Sequence, residues 1–484
     1  MNPFDPVFFQ AAYGPRRPAI AYADGLFTYG MLAEAANRAA ANISALGFKK
    51  GDRIACEIAD PLLHFIVAMA ISRIGAVGLS LQTDIEIDPT PLKISGSLVD
   101  QRSRVPRPRS FMIGSNIYQH ANTTTVFSNQ IRGEDFAPND LWRIALSSGT
   151  TGRPKGIGFT SETAEKRLSR FNVGDSAGAL RSLSLMGFST AWGVGTVLNT
   201  LRNGGLASFA ANPEQALDIV AFYCISDIVA SPAQLADLVQ LQRTAKRSVP
   251  SLRSITIGGA KVPRDVLIDA QRLLCPGIQV NYGATETGRV TSTDANHAIA
   301  IPGAVGYIYP WLNVEIIREN GARCGFGEEG QVRISGDSVI TSYLDDDASA
   351  ASQAEFTWFY PGDLATMRND GLVTITGRAG NRINRQGVKL APEAIEEEID
   401  AAPGVLESCV CDFESSSGRV IMVAGVVLKP GFSLESVQAA CRARLGPTRL
   451  PDEFVLASKL PRGPLGKIDR PAAKALVRAA YFET

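Results

Sequence analysis

The chain lacks any excess of charge: Lys and Arg total 48, and Asp and Glu total 48. That balance gives no pull toward nucleic acid or an anionic membrane. It also lacks clustered thiols. Seven cysteines are scattered at 56, 224, 275, 324, 409, 411 and 441. Only Cys409 and Cys411 are close, and as a C-x-C in a strand-like run they are expected on opposite faces, which disfavours a zinc site or redox pair. Buried free thiols are expected instead, and the odd count in a large chain points to a reducing compartment, the cytoplasm. The opening Met1-Asn2-Pro3-Phe4-Asp5-Pro6 lacks the basic and apolar regions of a signal peptide. No long apolar run is present. The longest, Leu62 to about Leu81, contains His64, Arg73 and two glycines. It reads as a buried helix followed by a strand, not a membrane span.

What is present is size. At 484 residues, with 45% apolar and 20% charged side chains, the chain is ordinary globular material. It exceeds the roughly 250–300 residues at which single cores stop growing, so more than one domain is expected.

The most informative stretch is Ser147-Ser148-Gly149-Thr150-Thr151-Gly152-Arg153-Pro154-Lys155-Gly156. It holds three glycines, four hydroxyls, two cations and a proline. Glycines let backbone N–H groups approach a ligand closely, and hydroxyls and cations suit an anion such as the phosphates of a nucleotide. It is not a Walker A loop, because Pro154 precedes Lys155 and Gly156 follows it. A flexible surface turn is the blander reading. The strand-like Trp142-Arg143-Ile144-Ala145-Leu146 feeds the loop, which favours a ligand site at a strand end.

Strands and helices alternate early. Tyr29–Leu46 has helical spacing and ends at Gly47, Arg53–Ile58 reads as a strand, and Gly75–Leu79 as another. This predicts a parallel α/β sheet. Residues 84–139 carry little pattern. They include Arg102-Ser103-Arg104-Val105-Pro106-Arg107-Pro108-Arg109, read as a solvated loop. Alternation resumes with a strand over Leu252–Ile257, a helix over Arg264–Leu274 and a strand over Ile278–Tyr282. From Val305 to Ile375, turns at Glu319-Asn320-Gly321 and Asn369-Asp370-Gly371 predict antiparallel hairpins. After Gly377-Arg378-Ala379-Gly380 a final segment has its own helices (Pro392–Ala401, Leu434–Leu445) and strands (Val405–Phe413, Val420–Val427).

Three further islands accompany the loop: Tyr282-Gly283-Ala284-Thr285-Glu286-Thr287-Gly288, Tyr360-Pro361-Gly362-Asp363-Leu364 and Gly463-Pro464-Leu465-Gly466-Lys467-Ile468-Asp469-Arg470. In this order they resemble the adenylate-forming superfamily of acyl-CoA synthetases, luciferases and peptide-synthetase adenylation domains. The resemblance runs from Phe27-Thr28-Tyr29 to Arg470 and is weakest over residues 84–139. It implies an α/β fold. A large N-terminal domain (1–378) of parallel layers with a small antiparallel barrel-like part would carry the ATP and acid sites. A small mobile α+β domain (379–484) would turn about a hinge at Gly380.

The implied activity is that of an AMP-forming acyl- or aryl-CoA synthetase, using ATP, Mg2+ and coenzyme A on a small carboxylic acid. The acid attacks the α-phosphorus, pyrophosphate leaves, and a thiol then displaces AMP. By resemblance, Lys467, Glu286 and Thr285 are catalytic, with Glu286 the metal ligand. ATP contacts fall to Ser147, Ser148, Gly149, Thr150, Thr151, Gly152, Lys155, Gly259, Ala260, Asn281, Tyr282, Gly283, Asp363, Ile375 and Arg378. Tyr282 would stack on adenine against the bare backbone of Gly258-Gly259-Ala260, and Asp363 would accept the ribose hydroxyls. Gly387 and Lys389 border the thiol tunnel. Phe188, Ser189, Trp192, Gly193 and Gly258 form an apolar or aromatic acyl pocket, although core packing explains such residues as well. Two departures stand out: Gly380 replaces the usual Asp or Lys of the hinge, and no histidine occupies the Met186–Gly193 region. Ser189 stands where amino-acid-activating relatives carry Asp, which disfavours an α-amino acid. The alternatives are the same chemistry with a carrier-protein phosphopantetheine as acceptor, or a non-catalytic relative. A phosphoryl-transferring kinase is disfavoured by the failed Walker spacing.

Overall fold

A computed structural model describes residues 1–22, 25–81, 92–100, 109–119, 133–146, 155–170, 180–210, 212–344, 358–385, 388–414, 420–463 and 467–482. Two sheets carry the N-terminal body. The first has six strands in the order Ser110–Met112, Gly96–Val99, Arg53–Glu57, Val77–Ser80, Leu141–Leu146 and Gly156–Thr160. Neighbours are parallel except the last pair, which is the hairpin around the anion-loop motif.

The second sheet has thirteen strands. Its parallel half runs through Leu206–Phe209, Arg181–Ser184, Asp227–Ala230, Ser254–Gly258 and Gly277–Ala284. At Gly277–Ala284 the sheet turns antiparallel, pairing with Gly288–Asp294. The hairpins expected beyond Val305 continue it, down to Asp363–Met367 paired with Val373–Arg378. Gly321 and Gly371 take φ of +83° and +86°, the left-handed geometry their turns demand.

The Leu62–Leu81 reading holds: a helix spans Pro61–Arg73 and a strand Val77–Ser80. Asp60 caps the helix by accepting from Leu63 N at 2.6 Å, and Pro61 sits at the first turn, where its missing N–H costs nothing. The helix is buried nearly all round, and Phe65, Ile66 and Met69 are fully enclosed. No helix of the described residues is long and apolar enough to cross a membrane.

The described residues beyond Asn381 form a separate unit. The strands Val405–Glu414, Val420–Leu428 and Glu453–Leu456 make a three-stranded sheet covered by helices Pro392–Asp400, Leu434–Arg444 and Arg470–Phe482. The expected opposite facing of Cys409 and Cys411 is overturned. A strand has a side-chain period of two, so positions i and i+2 share a face. Their Sγ atoms lie 3.8 Å apart, packed among Phe413, Val423 and Val477. All seven cysteines are free. Cys224 is exposed and Cys324 is half-buried, so burial holds for the other five only.

The patternless stretch also needs correction. Gly96–Val99 is a parallel strand buried at every position, and Ser110–Met112 pairs with it. Of the arginine run only Arg109 lies among the described residues. It is exposed, yet its guanidinium stacks 4.9 Å from the Phe48 ring and donates to Leu46 O.

Candidate active site

The turn Ala284–Gly288 joins the last parallel strand to the first antiparallel one, so it stands at the carboxyl end of the parallel sheet, where α/β folds bind ligands. Its tightness depends on glycine: a Cβ on Gly283 would fall 2.0 Å from Gly288 O. Thr287 Oγ1 closes the turn by accepting from Ala284 N at 3.0 Å.

Arg167, on the helix Ser161–Ser169, fixes the turn from below. Its guanidinium donates to Thr285 O at 2.8 Å, to Glu286 O, and to Ser338 O at 2.8 and 3.1 Å. Burial pulls its pKa down to about 10, and the Glu286 charge opposes that. Ile340 N adds a second donor to Glu286 O at 2.9 Å. With its backbone held, the Glu286 carboxylate accepts from Tyr343 OH through Oε1 at 2.9 Å. Oε2 has no hydrogen-bond partner among the described residues. The Tyr343 ring lies 4.6 Å from Lys155 Nζ, and Leu344 N donates to Gly156 O at 2.8 Å. The segment 338–344 therefore ties the downstream end of the anion-loop motif to Glu286.

A second cluster forms across the hairpin register. Asp363 faces Arg378 in the ladder, and Arg378 Nε lies 2.9 Å from Asp363 Oδ1. Tyr282 OH donates to Asp363 Oδ2 at 2.6 Å. Desolvation raises the Asp363 pKa above its ordinary value, while Arg378 and the Tyr282 hydrogen bond oppose this. The buried Tyr282 hydroxyl is pushed well up, first by desolvation and then by the Asp363 charge.

Lys467, in the C-terminal unit, lies within electrostatic reach of this cluster. Burial lowers its pKa, Arg378 adds to the lowering, and the negative fields of Asp363 and Glu286 oppose it. Its loop is held at both ends. Gly463 N donates to Lys467 O at 2.8 Å, and Asp469 N to Pro461 O at 2.9 Å. Three residues on, Arg470 pairs with Glu396 at 2.6 Å and Glu393 at 3.3 Å. Those pairs lie within the C-terminal unit, whereas Arg382–Glu329 at 2.7 Å, Lys429–Asp265 at 3.1 Å and Lys261–Glu397 at 3.2 Å link the two units.

The residues expected around the acid are also placed. Trp192 opens the helix Ala191–Arg202, and its ring would lie 2.9 Å from a Cβ on Gly258. Gly259 has φ +91° with nothing within 4 Å of a Cβ, so bare backbone faces open space beside Ala260. Phe188 is 7% exposed, its ring packed at 5.2–5.7 Å from His64, Phe65 and Phe209. Arg143 donates to the Phe188 carbonyl from beneath. Gly193 has a packing reason of its own: a Cβ would meet Gly187 O at 2.4 Å. Ser189 is half-buried at this loop. Ile375 donates from N to Gly303 O at 2.9 Å. At Gly380 a Cβ would meet nothing within 4 Å.

Ser147, Ser148, Gly149, Thr150, Thr151, Gly152 and Gly387 lie outside the described residues, as does the side chain of Lys389. Sequence reasoning missed Arg167 and Tyr343. Neither belongs to a Gly-rich island, and Arg167 acts on backbone carbonyls, which leave no mark in a sequence.

Among the described residues no group of three or more His, Cys, Asp or Glu side chains forms a metal cage. A lone carboxylate with one unpartnered oxygen suits a hard cation that arrives with its own phosphate and water ligands.

Residues 7–89 and 93–344 match the family described as AMP-binding enzyme. The chain is 24% identical over 473 residues to the 2-succinylbenzoate–CoA ligase of Bacillus licheniformis, covering 95% of this chain and 97% of that one. It is 26% identical over 487 residues to a long-chain-fatty-acid–CoA ligase of Mycobacterium tuberculosis, covering 95% and 94%. The fold matches the O-succinylbenzoate coenzyme A synthetase of Bacillus subtilis, solved in complex with ATP and magnesium ion. The TM-score is 0.83 at 21% identity, over 97% of this chain and 99% of that one. With more than half of its length in that match, the chain belongs to the AMP-binding enzyme family.

Proposed function

We propose that the protein is an AMP-forming acid–thiol ligase that couples a carboxylic acid to coenzyme A. One observation carries this reading. Lys467, from the C-terminal unit, enters the combined field of Asp363, Glu286 and Arg378 in the N-terminal body. An adenylating enzyme needs a cation at that meeting point. Near-full-length relatives named as CoA ligases support the same activity.

In this reading Asp363 accepts the ribose hydroxyls, with Arg378 and Tyr282 OH holding its carboxylate in place. Adenine lies between the Tyr282 ring and the open backbone at Gly259 and Ala260. Lys155 and the Ser147–Gly152 loop take the pyrophosphate side, and Thr285 takes the α-phosphate. Glu286 would hold magnesium, which when bound draws charge from the phosphate oxygens.

The acid carboxylate attacks the α-phosphorus. A P–O bond to the acid forms as the bond to pyrophosphate breaks, and negative charge grows on the equatorial oxygens. The Lys467 ammonium stabilises that charge in a half-dry site, where preorganised cations commonly contribute several kcal/mol. Residues 379–484 then turn about Gly380, bringing Gly387 and Lys389 to the site. The thiol displaces AMP, so an acyl thioester forms and the acyl–phosphate bond breaks. The reducing cytoplasm suits the free cysteines.

The test is acid-dependent ATP–pyrophosphate exchange, followed by AMP release when coenzyme A is added. Lys467→Ala should lower exchange roughly 100-fold or more while largely keeping thioester formation from a supplied acyl-adenylate. ADP as product, or exchange unchanged in the variant, would sink the assignment.

A further inference from the structure

Arg143 lies on the strand Leu141–Leu146 and is 6% exposed. Burial pulls its pKa down to about 10, so it stays a cation at neutral pH. No carboxylate among the described residues pairs with it, and the group whose field acts on it is the Cys56 thiol. That thiol is itself pushed up to about 12 by burial and carries no charge. A buried cation without a counter-charge is costly, because the interior does not replace the hydration it has lost.

The guanidinium is also only partly used as a donor. Nη2 donates to Ser80 Oγ at 3.2 Å and to Phe188 O. Nε has no partner among the described residues, and none of them accepts from Nη1. The neighbouring polar groups are committed elsewhere. His64 Nδ1 lies 3.1 Å from Ile58 O, which can only accept, so Nδ1 carries the proton. Nε2 is then the acceptor and takes the Ser80 hydroxyl at 2.8 Å. Burial and the Arg143 charge push the His64 pKa down to about 3, which keeps that ring neutral. Ser72 Oγ donates to Asn2 Oδ1 at 2.8 Å and accepts from Trp142 Nε1 at 2.9 Å.

Arg143, Cys56, Ser72, Ser80, Trp142 and Phe4 line a cavity of about 20 Å3. A water-sized body needs roughly 10–15 Å3 by this measure. The cavity thus takes one such body, and no phosphate, sulfate or organic acid. A water molecule would leave the charge of Arg143 uncompensated. A monatomic anion of similar size accepts from several donors at once and cancels the charge as well. We propose that this cavity is a chloride site and that the ion is the counter-charge of Arg143. The site is separate from the nucleotide cluster around Asp363. Arg143 connects it to the Phe188 carbonyl, and the Phe188 ring packs 5.4 Å from His64. The ion therefore steadies the Met186–Gly193 loop from inside the fold.

The experiment uses the full-length protein, with sodium chloride exchanged for sodium gluconate at constant ionic strength and pH. An ion that binds the folded state alone raises the melting temperature with its concentration, so chloride and bromide should raise it and gluconate and sulfate should not. Crystals should show an anomalous chlorine signal at long wavelength beside the Arg143 guanidinium, replaced by a bromine signal after bromide exchange. Arg143→Met removes the cation and should abolish the halide-dependent rise. Gly78→Ala serves should that variant fail to fold. Gly78 also lines the cavity, and the nearest atom to a Cβ there is Ile71 Cγ2 at 3.9 Å. The added methyl should occupy the space and abolish the halide response while Arg143 remains. Melting that ignores halide, with no anomalous signal at Arg143, overturns the proposal. So does a halide response that persists unchanged in both variants, since it would then arise elsewhere on the protein.

Discussion

The Tyr343 hydroxyl donates to Oε1 of Glu286 at 2.9 Å, while the same ring lies 4.6 Å from Lys155 Nζ. One aromatic residue thus touches both the proposed metal carboxylate and the end of the phosphate loop. Tyr343→Phe keeps the ring and removes only the donor. A hydrogen bond to a charged group contributes about 1.5–3 kcal/mol, so the magnesium concentration for half-maximal adenylation should rise roughly tenfold. The melting temperature should hardly move. An unchanged magnesium dependence counts against a positioning role for Tyr343.

Arg167 gives a different signature. Its donors serve three backbone carbonyls at the Glu286 turn and at Ser338. Arg167→Met removes those donors and leaves the acceptors buried. The expected loss is about 3 kcal/mol in urea unfolding, together with a fall in pyrophosphate exchange. Arg167→Lys should recover part of the stability but not the geometry, since an ammonium cannot span the carbonyls as a planar fork does.

The pH profile of adenylation should be narrower than ordinary lysine and aspartate values imply. In the proposed mechanism Lys467 must be protonated to stabilise the transition state. Its pKa is lowered by burial from the usual 10.5, so activity is lost as pH rises through a lower value than normal. In the same proposal Asp363 must be ionised to hold the ribose. Its pKa is raised by desolvation from 3.8, so activity is lost as pH falls through a higher value than normal. A kcat/KM profile for ATP reads these free-enzyme groups. Asp363→Asn should abolish the acid limb along with most ATP affinity.

Arg470→Ala should act at a distance from the reacting atoms. The Glu396 carboxylate is buried, accepts from Val410 N at 2.7 Å and relies on Arg470 for its charge partner. Removing one partner of a buried pair costs about 3–5 kcal/mol. The C-terminal unit should melt earlier, and the Lys467 loop should lose its anchor. Exchange should then fall more than thioester formation from a supplied acyl-adenylate, a split visible in separate half-reaction assays.

Gly193 separates packing from pocket chemistry. A Cβ there would meet the Gly187 and Met186 carbonyl oxygens at 2.4 and 2.5 Å. Gly193→Ala should destabilise by about 1–3 kcal/mol through overpacking and lower activity toward every acid alike. Selective loss of long or bulky acids would assign it to the pocket instead.

Much of this architecture was legible. Strands around Arg53–Glu57, Ser254–Gly258 and Gly277–Ala284 announce themselves by apolar runs bounded by turns. Gly96–Val99 did not, because Gly-Ser-Leu-Val offers two apolar side chains and no period, and only the sheet around it makes it a strand. The shared face of Cys409 and Cys411 follows from the two-residue period of a strand alone. In the site, Asp363 and Arg378 were named separately, and the hairpin register brings them together. Asn281 was expected at ATP, but that its buried amide has no hydrogen-bond partner among the described residues is visible only once its neighbours are placed.

The ion pairs between the two units have a kinetic meaning. Arg382–Glu329, Lys429–Asp265 and Lys261–Glu397 all keep side chains substantially in water, from 24% to 69% exposed. Such pairs contribute about 0–1 kcal/mol each and are screened over a Debye length of roughly 8 Å at physiological salt. In the proposed rotation about Gly380 they act as a weak latch, which breaks and re-forms at little energetic cost in each turnover. Ionic strength thus becomes a dial on the enzyme's timing. Added salt is expected to shorten the dwell in the Lys467-engaged arrangement and shift the rate-limiting step toward adenylate formation.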